Sequence, residues 1–227
     1  MELAERARVV HEKLLEVYGH PEWRNPLPPL DELVSTILSQ NTNDNNRDQA
    51  YLALRRRFPT WEAVRDAGEQ QVIDAIRPAG LGNQKGPRIQ NVLREITRQR
   101  GELSLDFLAQ MPDAQALDWL MAFKGVGPKT ASIVLLFSLG KPAFPVDTHI
   151  YRVSGRLGIR PANLNADQAH THLGQLFPPQ AYYAAHLNLI RLGREVCQAR
   201  RPKCASCPLQ DQCDYFLATS KEGKADG

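Results

Sequence analysis

The sequence predicts an all-α fold on the basis of three observations. Apolar residues recur every three or four positions along most of the chain, as the buried face of a helix requires. Glycine and proline interrupt this pattern at intervals that leave segments of ordinary helix length. No stretch alternates apolar and polar residues with the period of two that marks a half-buried strand. We therefore expect helices joined by turns throughout.

The first half of the chain contains a series of predicted helices, beginning with an amphipathic segment that Gly19 and Pro21 end. Thr60 is a predicted N-cap, because a threonine side chain before an apolar segment can accept a hydrogen bond from the first helical turn. These helices are marked by apolar residues within 3–17, 30–38, 50–58, 60–64, 72–76, 89–96 and 117–121, the last starting near Asp113.

An amide-rich run, Ser39–Asn46, follows the second of these helices directly. Its composition favours a helix–helix loop in which Asn43 or Asp44 caps the next helix. The alternative is a polar finger, including Gln40 and Asn41, whose amides offer donors and acceptors to a base edge or a gap.

Two glycine-flanked turns follow, Gly80-Leu81-Gly82 and Gly125-Val126-Gly127. Leu81, displayed between glycines, is either a staple onto the core or a wedge that enters a base stack. In the second turn, the glycines permit backbone angles that other residues avoid, and Pro128 suits the first position of a new helix. Backbone N–H groups at such a helix N-terminus are suited to binding a phosphate.

Lys129 lies in the first turn of that new helix, where the helix dipole disfavours a positive charge. Two explanations remain open from the residues alone. The lysine either contacts a phosphate, or its amine is made more nucleophilic by a site that favours loss of the proton.

The second half continues the helical pattern. Residues 131–139 are apolar on nearly every face, which predicts a central buried helix ended by Gly140 and Pro142. Another helix follows Pro145, and Asp147 has the local pattern of its N-cap. His149 is expected to make a local hydrogen bond and is not proposed as a catalyst. Two later helices are marked by apolar residues within 173–177 and 187–192.

All four cysteines lie in one short C-terminal segment with the spacing C-x6-C-x2-C-x5-C. In an intracellular chain, such closely spaced thiols are more often metal ligands than disulfides. Zinc and an iron–sulfur cluster both accept four thiolates, and a single CxxC arm favours the cluster without excluding zinc. The predicted ligands are Cys197, Cys204, Cys207 and Cys213.

Composition restricts the class of protein but not its activity. The 227 residues carry a net charge of +3, which permits a nucleic-acid partner without requiring one. No run of about 18 apolar residues is present, so we expect no membrane span. The N-terminal residues include acidic side chains and no apolar segment, so we expect no secretory signal and an intracellular protein.

These features together resemble the endonuclease III family, DNA glycosylases with abasic-site (AP) lyase activity in the helix–hairpin–helix superfamily. The resemblance rests on the helical order, the Gly125-Val126-Gly127 turn with Lys129, the segment Val146-Asp147-Thr148-His149 eighteen residues beyond that lysine, and the cysteine spacing. Each element alone is weak, but the ordered combination is specific and covers residues 1–215.

The resemblance implies two helical domains that flank a DNA-binding cleft. A six-helix barrel with the helix–hairpin–helix would occupy residues 22–141, and a cluster domain would combine residues 1–21 with 142–215. Residues 216–227 would form a disordered tail. The four cysteines would hold a [4Fe-4S] cluster, which decides between cluster and zinc in the cluster's favour.

The same resemblance assigns roles to individual residues. Lys129 matches the catalytic lysine and Asp147 the catalytic aspartate. Asn41 falls where the family commonly has a glutamine that fills the gap left by a flipped nucleotide, and Leu81 matches a residue that wedges into the opposite strand. The further expected DNA contacts are Gln40, Lys124, Gly125, Val126 and Gly127.

Four positions depart from the pattern of this family and of its relatives. Lys124 replaces a usual proline and adds a positive charge beside the hairpin, while Gly82 replaces a larger residue after Leu81. Asn41 is shorter than glutamine by one methylene. Thr36 stands where related adenine glycosylases carry a glutamate, and those enzymes also lack the lysine, which argues against adenine–mismatch activity.

The implied function is excision of oxidised pyrimidines from double-stranded DNA, with strand nicking at the resulting abasic site. The protein would act as a monomer in the cytoplasm, associated with the nucleoid if the source is bacterial. Two alternatives are a monofunctional mismatch glycosylase and a non-enzymatic helix–hairpin–helix DNA-binding module. The module would give no reason for Lys129 and Asp147 to occur together.

Overall fold

The computed structural model describes residues 2–23 and 25–222, and it confirms the all-α prediction for that part of the chain. No strand occurs there, and short 3-10 turns join the helices. The twelve α-helices of the described residues are α1 Leu3–Tyr18, α2 Pro29–Leu38, α3 Asp44–Arg57, α4 Trp61–Asp66, α5 Glu69–Ala75, α6 Gly82–Arg100, α7 Asp113–Met121, α8 Pro128–Ile133, α9 Thr148–Arg156, α10 Ala166–Leu176, α11 Tyr182–Glu195 and α12 Asp214–Glu222.

The chain divides into two compact units. The internal unit is Pro26–Lys141, and the terminal unit combines Met1–Asn25 with Pro142–Gly227. The first boundary lies a few residues beyond the predicted one at 22, because the segment before Pro26 packs within the terminal unit. There, Tyr183 donates a hydrogen bond to the Glu22 carbonyl at 2.9 Å, and its ring packs on Trp23 with the ring centroids 4.1 Å apart.

The internal unit is built around α2, in which every residue except Asp31 and Glu32 is buried and which packs against α3, α6 and α8. A helix with so wide a buried face needs apolar neighbours on several sides, and Leu33, Ile37 and Leu38 are fully buried. The predicted caps are confirmed: Asn43 accepts a hydrogen bond from the Asn46 amide, and Thr60 accepts one from the Ala63 amide.

The central apolar helix predicted at 131–139 is present but is not a single regular α-helix. α8 ends at Ile133, and a π-helical segment, Val134–Ser138, continues it. Ala131, Val134 and Leu135 are fully buried, so the predicted central position is confirmed. Such wide turns within helices occur frequently at functional sites.

In the terminal unit, α11 packs against α9 and α1, and α1 also packs against α10. Two buried polar side chains of α11 are hydrogen-bonded to backbone carbonyls within this unit. The buried His186 has its Nδ1 2.9 Å from the Pro145 carbonyl oxygen, and Asn188 donates to the Gly19 carbonyl at 3.1 Å. These bonds tie α11 to the loop before α9 and to the end of α1.

The predicted disordered tail from residue 216 is wrong for residues 216–222, because α12 extends from Asp214 to Glu222. The start of α12 is held by charge and ring contacts. Asp214 pairs with Arg6 of α1 at 2.8 Å, and the Arg156 guanidinium lies 4.6 Å from the Tyr215 ring centroid. The remainder of the predicted tail, residues 223–227, lies outside the described residues.

Within the described residues, no helix combines the length and apolarity needed to cross a membrane.

Candidate active site

The predicted hairpin is present between α7 and α8 in the internal unit. The Phe123 amide donates to the Leu120 carbonyl at 3.3 Å, and the Val126 amide donates to the Phe123 carbonyl at 3.0 Å. Val126 is 4% exposed and anchors the turn in the core. The turn therefore directs its glycines, and not its valine, towards solvent.

Only one of the two hairpin glycines has a conformation that requires glycine. Gly125 has a φ of +89°, which disfavours any residue with a Cβ. Gly127 has a φ of −98° and a ψ of −179°, an extended conformation open to any residue. The predicted backbone angles that other residues avoid therefore occur at Gly125 and not at Gly127.

The hairpin amides are not equivalent as anion donors. The Val126 N–H donates its hydrogen bond to the Phe123 carbonyl inside the turn, so the prediction that this amide binds a phosphate is wrong. In the described part of the chain, no backbone hydrogen bond outside the helices is donated by Gly125 or Gly127. A phosphate contact by these two amides stays a prediction.

Lys129 is the second residue of α8, after Pro128 at the first position, as predicted. Its side chain is half-buried, and the first turn of α8 is closed by the Ala131 amide bonding to the Gly127 carbonyl at 3.0 Å. Lys124 lies exposed in the turn itself. The hairpin therefore presents one half-buried amine and one exposed cation.

Asn41 and Leu81 share an unusual backbone conformation. Both have a φ of 52°, in the left-handed region, and the third such non-glycine residue in the described chain is Arg201. This conformation costs of order 1–3 kcal/mol, and residues that adopt it cluster at functional sites. Leu81 is 45% exposed, so its interpretation as a staple onto the core is wrong.

Gln40 was predicted to contact DNA, but both ends of its amide are engaged inside the internal unit. Its Oε1 accepts a hydrogen bond from Nη1 of Arg88, and its Nε2 donates to the Gly125 carbonyl at 3.3 Å. Arg88 is not predictable as a site residue, because its pairing with Gln40 spans 48 positions and no local pattern indicates it.

Lys85 is a second residue that sequence reasoning missed. Its side chain is 1% exposed, and Nζ donates to the carbonyls of Leu38 and Ala79, each at 2.8 Å. Burial, together with the nearby charge of Arg88, lowers the pKa of Lys85. Leu38 ends α2 and Ala79 precedes the Leu81 turn, so this amine joins the bases of the two loops that carry Asn41 and Leu81.

Asp147 lies in the terminal unit, where it is the N-cap of α9, as its local pattern predicted. Its Oδ1 accepts a hydrogen bond from the Ile150 amide at 2.8 Å, and the side chain is half-buried. His149 has its Nδ1 3.1 Å from Nη2 of Arg152. This contact agrees with the local hydrogen-bonding role expected for His149.

The four cysteines are free thiols that line one cavity, together with apolar side chains of α9, α11 and α12. Nη1 of Arg156 lies 3.4 Å from Sγ of Cys197, and the Cys213 thiol donates to the Arg156 carbonyl at 3.3 Å. Burial raises the pKa of the Cys207 and Cys213 thiols. Metal binding would therefore have to displace their protons.

The four thiols around one cavity fit the four cysteine ligands that a [4Fe-4S] cluster takes. Zinc also accepts four thiolates, so the geometry alone admits both groups.

Helix α9 connects Asp147 to the cysteine segment. Arg152 donates to the Cys197 carbonyl at 3.0 Å and to the Gly193 carbonyl at 2.9 Å. Arg156 donates to the Gln198 carbonyl at 2.7 Å. The helix that Asp147 caps is thus fastened directly to the start of the cysteine segment.

Comparisons with known proteins identify two family models in the chain. The model of the HhH-GPD superfamily base excision DNA repair proteins matches residues 34–179. The model of the iron–sulfur binding domain of endonuclease III matches residues 197–213, which include all four cysteines.

Similar proteins agree with these models over almost the full chain. Endonuclease III from Sulfolobus acidocaldarius is 32% identical over 97% of this chain and 96% of its own. A putative DNA glycosylase from Arabidopsis thaliana is 36% identical over 83% of this chain and 67% of its own. A solved structure of an endonuclease III trapped as a covalent intermediate with DNA is 25% identical, with a TM-score of 0.83, over 97% of this chain and 100% of the other.

Proposed function

Because the chain belongs to the endonuclease III family of HhH-GPD base excision DNA repair proteins, we propose that it is a bifunctional DNA glycosylase and AP lyase that removes oxidised pyrimidines. Glycosylase activity, DNA binding and a [4Fe-4S] cofactor belong to the family assignment. We propose three further points: the lyase step, the lesion class and the roles of individual residues. The enzyme would act as a monomer on DNA with a damaged base or an abasic site.

One observation carries the proposal: Lys129 stands at the second position of α8, immediately after the hairpin. The helix N-terminus and partial burial would both oppose the ammonium form and so favour the neutral amine that attack requires. A hairpin that holds the phosphate backbone would bring the neighbouring sugar to this amine. The covalent intermediate trapped with the solved relative supports the same chemistry.

The damaged nucleotide must first leave the stack, which costs a few kcal/mol of unstacking. Asn41 and Leu81 would offset that cost by occupying the space left in the duplex. Both side chains are exposed, and both residues have the left-handed backbone that clusters at functional sites, which supports this role. The amides of Gly125 and Gly127 would hold the adjacent phosphate.

Lys129 Nζ would then form a bond to C1′ as the glycosidic bond breaks and the base leaves with the electron pair and gains a proton. Ring opening converts the amine adduct to an imine, with the proton passing to the ring oxygen. Loss of a C2′ proton then expels the 3′ phosphate and nicks the strand. Hydrolysis of the imine releases the sugar and restores the lysine.

Asp147 would stabilise positive charge that develops on the sugar and accept the proton that Lys129 loses. Its role as an N-cap supports this assignment, because the bond from the Ile150 amide fixes the carboxylate in place. The four cysteines would bind the cluster, which, when bound, cross-links their segment through iron–thiolate bonds.

A panel of lesion-bearing duplexes, scored separately for base release and nicking, tests this function. Duplexes with thymine glycol, a G·T mismatch, 8-oxoguanine or a preformed abasic site should be cleaved preferentially at thymine glycol and at the abasic site. Release of mismatched thymine without nicking would instead identify a monofunctional mismatch glycosylase. Binding without base release from any duplex would identify a DNA-binding module.

A further inference from the structure

Three segments of the internal unit that carry proposed DNA contacts meet at one pair of side chains. They are the loop with Asn41, the helix α6 that follows Leu81, and the hairpin with Gly125. Gln40 lies in the first segment and Arg88 in the second. The pair contacts the third segment at Gly125.

The contacts form a closed triangle. Arg88 donates from Nη1 to Oε1 of Gln40, and Gln40 donates from Nε2 to the Gly125 carbonyl. The Arg88 side chain also lies directly against Gly125, so that a Cβ at this position would overlap Nε, Cδ and Cζ of the arginine. Glycine at 125 is therefore required twice, by its positive φ and by the approach of Arg88.

A closed set of contacts fixes distances that a single contact would leave variable. Gln40 immediately precedes Asn41, and Arg88 stands about two helical turns after Leu81. The pair therefore sets the spacing between the residues that would enter the duplex and the hairpin that would hold its backbone. This spacing decides whether a bent duplex can contact Asn41, Leu81 and the hairpin at the same time.

We propose that Arg88 and Gln40 are positioning residues for DNA with a flipped nucleotide, and that they act by fixing the Asn41 loop and α6 to the hairpin. This inference rests on the proposed function, because it assumes that Asn41, Leu81 and the hairpin contact the same duplex. For Gln40, this positioning role replaces the predicted direct contact with DNA, because both ends of its amide are engaged inside the internal unit.

The rival role for Arg88 is a direct phosphate contact. Arg88 is half-buried, and no ion pair of the described residues includes it, so its charge is available to a nearby phosphate. The two roles make different predictions for salt dependence. A lost phosphate contact reduces the slope of log affinity against log salt by about one, whereas a lost positioning contact leaves the slope unchanged.

A double-mutant cycle with Arg88→Met and Gln40→Met tests the proposal, because methionine preserves length and removes the hydrogen bonds. Affinity is measured for a duplex with a tetrahydrofuran abasic analogue and for undamaged duplex. Each single variant should weaken binding to the abasic duplex by about tenfold and to undamaged duplex by less than about twofold. The double variant should be no weaker than either single one. Additive losses, or a reduced salt slope for Arg88→Met, would overturn the inference.

Arg98→Met is the matched control, because it removes the same charge from the same helix, where Arg98 is exposed and paired with Glu95. It should leave the preference for abasic over undamaged duplex unchanged. Arg88→Lys keeps the charge but loses the guanidinium atoms Nε and Cζ that lie against Gly125, so it should behave like Arg88→Met. Recovery of affinity in Arg88→Lys would show that charge, and not positioning, is the role.

Two further measurements separate this inference from its premises. A general folding defect would weaken binding to both duplexes equally. The melting temperature of each variant detects such a defect, and it should stay close to that of the wild type. Borohydride trapping of the wild type tests the proposed function itself. If the wild type is trapped while the variants keep full preference for the abasic duplex, the positioning role is wrong and the proposed function stands.

Discussion

The two glycine-flanked turns of the internal unit have similar sequences and opposite structures. In Gly80-Leu81-Gly82, the leucine is 45% exposed on left-handed backbone, and the lysine that follows, Lys85, is 1% exposed. In Gly125-Val126-Gly127, the valine is 4% exposed and the following lysine, Lys129, is half-buried. The first turn exposes its apolar residue and buries its amine, whereas the second buries its apolar residue and leaves its amine half-buried.

The position of each lysine in its helix explains part of this difference. Lys85 is the fourth residue of α6, whereas Lys129 is the second residue of α8. Two positions correspond to about 200° around a helix, so equivalent helices would direct these lysines to nearly opposite faces. A lysine beside a glycine turn is therefore structural or reactive according to its helical phase, which the motif alone does not specify.

The largest expected difference between the turns is chemical. Lys129→Gln should reduce the borohydride-trapped DNA adduct by about a thousandfold or more, because it removes the proposed nucleophile. Lys85→Met should keep a trappable adduct, within a few-fold per folded molecule, because its amine is committed to the Leu38 and Ala79 carbonyls. Covalent adducts are quantified by gel electrophoresis after correction for the folded fraction. A wild-type yield from Lys129→Gln would disprove the Schiff-base assignment.

The apolar residues of the turns should differ in stability. Val126→Ala should lower the free energy of unfolding by about 2 kcal/mol, because it leaves a cavity in the core. Leu81→Ala should change it by less than about 0.5 kcal/mol, because the side chain is exposed, while lowering lesion cleavage. Urea denaturation and cleavage assays measure the two effects. Equal destabilisation by both substitutions would contradict the assignment of Val126 as anchor and Leu81 as wedge.

Alanine substitutions at the two hairpin glycines should differ in their effect on stability, by a smaller amount than the substitutions above. Gly125→Ala should cost about 1–2 kcal/mol of stability, because alanine disfavours a φ of +89° and would displace Arg88. Gly127→Ala should be neutral or stabilising by up to about 1 kcal/mol, since its backbone is extended and no atom lies within 4 Å of an added Cβ. Thermal unfolding of both variants gives the comparison, and a larger loss at Gly127 would refute it.

The smallest expected effect is a pH dependence specific to Lys85. Because burial lowers the pKa of Lys85 in the folded protein, the unfolded chain binds more protons between that lowered pKa and the ordinary value of 10.5. The contribution to stability is therefore present above pH 10.5 and is lost as the pH falls through the lowered pKa. The difference in unfolding free energy between wild type and Lys85→Met should rise as the pH is raised towards 10.5. A difference that falls instead would contradict a buried, partly disfavoured ammonium.

Features that depend on neighbouring residues were predictable from the sequence. The caps at Asn43, Thr60 and Asp147 each use a side-chain oxygen that bonds an amide three residues later. The hairpin between α7 and α8 is marked by glycine and by Pro128. The cysteine spacing is likewise local and was sufficient to predict a four-thiolate site.

Features that depend on distant residues were not predictable. The contact of Lys85 with Leu38 spans 47 positions, and that of Arg88 with Gln40 spans 48. Residues 216–222 of α12 were predicted as disordered, because the residue that anchors the start of this helix, Arg6, lies 208 positions from Asp214. Polar composition indicates an exposed tail unless a partner for its charges is known.

The sequence by itself determined the helices, their caps, the hairpin and the four thiols, because each follows from periodicity or from spacing within a few residues. Only the tertiary structure decided which of two similar lysines is buried and which residue of each turn is exposed. It also decided that Gln40 is bound internally by Arg88. Burial and long-range hydrogen bonds decide these points, and both are properties of the folded chain that no local pattern contains.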